Sequence, residues 1–305
     1  MKKASTTKEK IESKIKPGLK KKPVKKRAPS LEKALKPYLD FLGIPKYNVV
    51  KMEYYSGEHE KYLIEADFLE TFVLKIFSSK EYKYNASIEK HFFTSAKNIR
   101  KLTPTIIVPH DPEKELNQFL FTDRLPGANK KWSNLNAEEK SRIVKNIARV
   151  IYKFHTYSSQ KTMKESIFGR VSAPVDSWEK YLQQIINKKL DDMSDNATKA
   201  LKFKKYCEGK MLSISAQKII PNLLHGSLGL NKDGVLRSFL FIGDKMSGVM
   251  NTENSIYGDK IMDLVFIQKE ILAKDINLEK DFYGTYGKLR PQEKERLEFY
   301  TKILE

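Results

Sequence analysis

The period of the apolar residues changes partway along this chain, and that change narrows the fold more than any other feature. Through residues 48–77, "NVVKMEYYSGEHEKYLIEADFLETFVLKIF", apolar and polar residues alternate in short runs, broken at Gly57 and around residues 67–70. A period of two marks strands with one face covered, and the breaks mark hairpin turns. From residue 137 the period lengthens. Ile143, Ile147, Val150, Ile151 and Phe154 recur at i, i+4, i+7, i+8 and i+11, one apolar stripe along a helix. Asn136 precedes it and Glu139 follows three residues later, close to the pattern of a capping box.

The rest of the chain follows the same order. "SIEKHFFTSAKNIRKL" predicts a helix with Ile88, Phe92 and Ile99 on one side, and "TPTIIVPHD" and "NQFLFTDRLPG" predict two more strands. Later, "SWEKYLQQIINKKLDDM" and "NATKALKFKKYCEGKML" read as helices. Short strands follow around "NLLHG", "RSFLFI" and "SGVMN", and helices close the chain. Strands with one helix thus precede helices with a small strand insertion, which is the α+β class. The expected division is a small β-rich lobe over residues 29–127 and a larger helical lobe over residues 128–305. The first opens with a helix over "SLEKALKPYLDFLGI", capped by Ser30. A cleft between two such lobes is where a ligand would sit.

Charge sets residues 1–28 apart. They hold 11 lysines and one arginine against two glutamates, so +10 of the formal charge of +19 lies there. The segment is poor in aromatics and rich in Lys, Ser, Thr and Pro, and it is expected to be a disordered basic arm. Its expected partner is a polyanion, nucleic acid or anionic lipid, drawn by counterion release. The plain alternative is a solubilising tail with no specific partner. "KKKPVKKR" also looks like a nuclear localisation signal, so the nucleus stands beside the cytoplasm as an expected location. No run of about 18 apolar residues predicts a membrane span, and no signal segment is expected at the start. The single cysteine, Cys207, excludes an internal disulfide and a cysteine-based metal site. Five scattered histidines lack zinc-ligand spacing.

Four features bear on chemistry. "TFVLKIF" sets Lys75 in a strand, ahead of the helix that holds Glu89. "FLFTDRLPGANK" is a strand ending in a Pro-Gly turn. "KFHTYS" ends the long helix with His155. Lastly, "LLHGSLGLN" and "SGVMNTENSIYGDKIMDL" place His225 and Gly226 ahead of Gly258, Asp259, Asp263 and Leu264. In this order and spacing, residues from about 45 to 305 resemble the aminoglycoside phosphotransferase and choline kinase family of the protein-kinase-like fold.

The resemblance implies a bilobal fold and a site for ATP between the lobes. Lys75 would hold the α- and β-phosphates, placed by Glu89, with Glu81 also near in sequence. Gly57, a lone glycine in its hairpin, would be what remains of a glycine-rich cover. The backbone of Thr122, Asp123, Arg124 and Leu125 would read the adenine edge. His155 would be a packed structural histidine, and Asp259 and Asp263 would cap a helix and brace a loop.

The departures fall on the chemistry. Where the family carries the aspartate that takes the proton of the attacking hydroxyl, this chain has Ser227, beside His225. Where the family carries the aspartate that holds Mg²⁺, it has Asn251, a neutral ligand for an ion that prefers carboxylates. Asn231 falls one residue short of the family's metal-binding asparagine, and Lys232 takes that place. Ser238 is the equivalent if "NKDGVLR" is an insertion. Glu253 lies two residues beyond Asn251, about 6.6 Å along an extended strand, too far for direct replacement without a bulge. Metal ligation by Asn231, Asn251 and Glu253 is therefore weakened. The expected function is that of a pseudokinase, able to bind nucleotide and acting as a scaffold or regulator. The alternatives are an active ATP-dependent small-molecule phosphotransferase with a rearranged metal site, and a nucleic-acid or ribonucleoprotein binding module that uses the basic arm. A lysine-rich second lobe disfavours a cationic substrate.

Overall fold

The first three long strands pair as their alternation predicts, and they carry the lysine that matters most. In the structure, a computed structural model, residues 33, 36, 47–51, 60–66, 71–77, 85–108, 118–162, 167–170, 173–273 and 275–305 are described. The chain divides into two compact units, Met1–Pro45 and Lys46–Glu305. In the first, Lys33 and Lys36 are helical and exposed. The basic arm, Ser30, Gly57 and Glu81 lie outside the described residues.

The second unit begins with a five-stranded antiparallel sheet. Strands β1 (Tyr47–Lys51), β2 (Glu60–Ala66), β3 (Thr71–Phe77), β4 (Ile106–Val108) and β5 (Gln118–Asp123) lie in the order β1-β2-β3-β5-β4. The register sets Lys61 of β2 directly opposite Lys75 of β3. Both therefore project from the same face of the sheet.

Helix α1 (Asn85–Ser95) packs against this sheet. The expected helix is cut short. Lys97–Leu102 is a 3₁₀ segment in which Ile99 is non-helical (φ −115°, ψ 20°). Ile88, Phe92 and Ile99 are buried all the same. The Phe92 ring lies 4.9 Å from that of Phe154 and edge-on to His225 at 5.8 Å. α1 is thus packed onto the second lobe as well, and the residue it carries toward the cleft is fixed by both.

The second lobe is built around α2 (Ala137–Thr162). Its stripe is the core: Ile143, Ile147, Ile151 and Phe154 are buried, while Val150 is only partly covered. Asn136 and Glu139 form the reciprocal cap, each accepting from the other's backbone N–H at 2.9 Å. Helices α3 (Trp178–Asp191) and α4 (Ala197–Ser215) start on Ser177 and Asn196, which accept from Lys180 and Lys199 N–H. After them come α5 (Ile261–Ile267), α6 (Ile276–Tyr286) and α7 (Pro291–Leu304).

A small four-stranded sheet in this lobe is only partly visible in the sequence. It runs β7 (Ala173–Val175), β6 (Phe168–Arg170), β11 (Ile256–Gly258), β8 (Asn222–Leu224). β8 is the strand of "NLLHG"; the other three are three-residue strands too short to show a period. The expected strands β9 (Phe239–Ile242) and β10 (Lys245–Val249) form a separate hairpin. Just after β11, buried Asp259 accepts from Arg296 Nε at 2.6 Å, Tyr300 OH at 2.9 Å and Ile261 N–H at 3.1 Å. A buried carboxylate is tolerated when it is paired and hydrogen-bonded in this way. Among the described residues no helix is long and apolar enough to cross a membrane.

Candidate functional site

Two turns of the helical lobe build the site, and the second of them meets the face of the sheet that carries Lys61 and Lys75. The first is the turn after β8. Gly226 has φ +77°, and a Cβ there would lie 2.1 Å from the Asn254 carbonyl oxygen, so only glycine fits. Asp263 braces this turn: its two oxygens accept from His225 N–H and Gly226 N–H, both at 2.8 Å. Asp263 is itself held by His155 Nε2 at 3.2 Å, whose other nitrogen lies 3.0 Å from Tyr286 OH. His155 is buried in this network, away from the cleft's chemistry. His225 lies 2.9 Å from the Met250 carbonyl through Nε2, and its Nδ1 faces Ser227 N–H at 3.3 Å. A carbonyl can only accept and an N–H only donate, so the ring is neutral with the proton on Nε2. Burial lowers its pKa, which agrees.

The second turn follows β10. Asn251 has φ 60°, a left-handed conformation that asparagine adopts more readily than most residues. Its amide is clamped at both ends. Nδ2 donates to the Arg237 carbonyl at 2.7 Å, and Oδ1 accepts from Lys61 Nζ at 2.5 Å.

Lys75 is the centre of the charge network. Its Nζ lies 3.0 Å from Glu89 Oε2 and 2.9 Å from Glu253 Oε2. Lys75 thus pairs with Glu89, the glutamate of α1, and with Glu253. Glu89 also accepts from Thr252 N–H at 3.0 Å through its other oxygen, tying α1 to the turn after Asn251. Burial works against charge on Lys75, but the two carboxylates outweigh it and raise its pKa. For Glu89 burial wins and raises the carboxyl pKa; for Glu253 the two lysines outweigh burial and hold it well below the usual range. Lys61 differs: burial and then Lys75 lower its pKa from 10.5 to about 7.

Ser227 also meets a cation. Its Oγ accepts from Arg237 Nη2 at 2.5 Å, and its carbonyl accepts from Ser238 Oγ at 2.5 Å. Ser227 is partly exposed, so this contact lies nearer to solvent than the two lysines.

The other expected residues are placed as follows. Asn231 turns into its own loop, where Oδ1 accepts from Asp233 N–H at 3.0 Å and Val235 N–H at 2.9 Å. Asp244, acidic and near Asn251 in sequence, pairs instead with Lys130 and Arg142 on the β9–β10 turn. In the strand expected to read adenine, Thr122 is paired across β3 and β4. Asp123 N–H donates to the Thr105 carbonyl and Arg124 N–H to that of Thr71, both at 3.1 Å. Leu125 packs over Gly248, where a Cβ would meet its Cδ1 at 2.8 Å. Nothing in the sequence singles out Lys61 or Arg237.

These residues do not fit a magnesium ion. Mg²⁺ requires near-octahedral oxygen ligation, and protein sites supply one or two carboxylates. Here Asn251 Oδ1 is bound by an ammonium group, Ser227 Oγ by a guanidinium group, and Glu253 by Lys75. Among the described residues no group of three or more His, Cys, Asp or Glu side chains could hold a metal.

A strand-rich lobe on a helical lobe, a β3 lysine on an α1 glutamate, and a His-Gly turn braced from a later helix make up a bilobal kinase-like fold. Solved structures agree. Aminoglycoside phosphotransferase APH(4)-Ia is similar at 13% identity and a TM-score of 0.62, over 89% of this chain and 88% of that one. A thermostable mutant of it, solved with AMP-PNP and hygromycin B, gives 15% and 0.61 over 88% and 87%. Macrolide 2'-phosphotransferase MphH from Brachybacterium faecium gives 13% and 0.58 over 89% and 88%. No family model matches the sequence, and neither does any curated protein. At such identities the likeness is one of fold, which does not carry function by itself.

Proposed function

We propose that this protein binds a nucleotide between its lobes but does not transfer its phosphoryl group efficiently, and that it acts as a scaffold or regulator. One observation carries the reading: at both positions where the fold's enzymes need a carboxylate, this chain has a neutral side chain held by a cation. Ser227 is bound by Arg237, and Asn251 by Lys61. A serine hydroxyl is a poor base near neutral pH, and one whose oxygen accepts from a guanidinium is poorer still. The retained parts support nucleotide binding. Lys75 is charged and positioned by Glu89, as phosphate binding requires. The strand through Thr122 and Asp123 leads on to Leu125, and the similar phosphotransferase was solved with AMP-PNP.

The test is phosphate release from ATP, and transfer to the protein itself, with Mg²⁺ or Mn²⁺. The expected result is no turnover above that of Lys75→Ala. Robust turnover lost in Lys75→Ala would instead establish an active phosphotransferase with a rearranged site.

A further inference from the structure

Lys61 has no part in the fold's usual scheme of phosphate binding, yet its placement is specific. It stands directly across from Lys75 on antiparallel strands, and both side chains are buried, at 5% and 6% exposed. Like charges opposite each other in a sheet oppose folding, and burial adds to that cost. Glu89 and Glu253 gather on Lys75. The contact that takes Lys61 across the cleft is to a neutral amide, Asn251 Oδ1 at 2.5 Å. Arg237 adds a third cation at Ser227.

A metal ion coordinated by the residue at position 251 would lie about 2.1 Å from its oxygen. The Lys61 ammonium group instead hydrogen-bonds the oxygen of the residue in that position at 2.5 Å, and so occupies the side of the oxygen that faces the cleft. The change from a carboxylate to Asn251 and the arrival of Lys61 are then one exchange: an anion with a metal is replaced by a neutral amide with an ammonium group.

We propose that the cleft binds the phosphate chain of a free nucleoside triphosphate without a divalent cation, the positive charge of the metal being supplied by Lys61 with Arg237. This rests on the nucleotide-binding reading above and adds the ionic form of the ligand. Lysine and arginine both bind phosphate by charge-assisted hydrogen bonds. The side chains at the metal positions are already engaged by cations, Asn251 by Lys61, Ser227 by Arg237 and Glu253 by Lys75, so magnesium is expected not to strengthen binding.

The experiment is calorimetric titration of the full chain with ATP, once in EDTA and once in excess MgCl₂. The expected dissociation constant in EDTA is equal to or lower than that in MgCl₂. A higher dissociation constant in EDTA than in MgCl₂ overturns the inference and leaves nucleotide binding standing. Absence of binding under both conditions overturns nucleotide binding itself. Lys61→Met, which keeps the apolar stem, is expected to lose affinity in EDTA by about tenfold while its thermal unfolding temperature is undiminished. Unchanged affinity in a folded Lys61→Met protein overturns the role of Lys61.

Discussion

Replacing Lys61 by methionine removes an ammonium group from a side chain that is only 5% exposed. Burial and the neighbouring Lys75 bring its pKa from 10.5 to about 7. Each factor of ten in proton affinity corresponds to about 1.4 kcal/mol, so keeping this group charged below pH 7 costs the fold roughly 5 kcal/mol. The methionine leaves Asn251 Oδ1 without its donor, a loss of about 1–3 kcal/mol. The net expectation at pH 6 is a stabilisation of about 3 kcal/mol, which for a domain of this size is a rise of roughly 5 °C in Tm. The pH dependence has a definite sign. The folded pKa lies below the unfolded one, so between pH 7 and 10.5 the unfolded chain binds more protons and the native protein gains stability as pH rises. By about pH 9 roughly 3 kcal/mol of the cost is relieved, and the advantage of methionine is expected to vanish. Denaturant unfolding of both proteins at about pH 6 and about pH 9 measures this. Destabilisation by Lys61→Met at the lower pH would refute the reasoning, because it would make Lys61 a structural tether rather than a charge held at a cost for a ligand.

Other substitutions probe the frame around it. Lys75→Met leaves Glu89 and Glu253 buried together, and urea unfolding near neutral pH is expected to show a loss of about 3–5 kcal/mol. The loss is expected to shrink as pH falls, since burial already raises the Glu89 carboxyl pKa. Gly226→Ala forces a Cβ to 2.1 Å from the Asn254 carbonyl at φ +77°; a loss of about 3 kcal/mol or more, or failure to accumulate soluble protein, is expected. Arg296→Met removes the cation from Asp259, which is 3% exposed. Thermal unfolding is expected to show a loss of about 3–5 kcal/mol.

The parts of the site that can be read from the sequence are those with local or ordered signals. Lys75 stands out as a charge inside the apolar run "TFVLKIF". The Asn136–Glu139 cap and the stripe of α2 repeat at helical spacing. His225, Gly226, Asp259 and Asp263 keep a fixed order along the chain, and the structure ties the first two to Asp263. Lys61 and Arg237 have no such signal. In the alternation of β2, Lys61 is one more polar position, and its partner Asn251 is 190 residues away. Arg237 lies in a loop where arginine is ordinary, and it gains meaning only when the loop folds back on Ser227. Sequence spacing puts Glu253 too far along the strand to replace Asn251 without a bulge, and after the left-handed turn at Asn251 its carboxylate meets Lys75. The expected helix after β3 runs too far, because Ile99 keeps the apolar period across a break that only backbone angles reveal.

A crystal structure of the full chain grown with ATP and excess MgCl₂ tests the central claim most directly. The expected result is phosphate oxygens within hydrogen-bonding distance of Lys61 Nζ and no metal on Asn251. A magnesium ion coordinated by Asn251 or Glu253 between the phosphates and the helical lobe would contradict it.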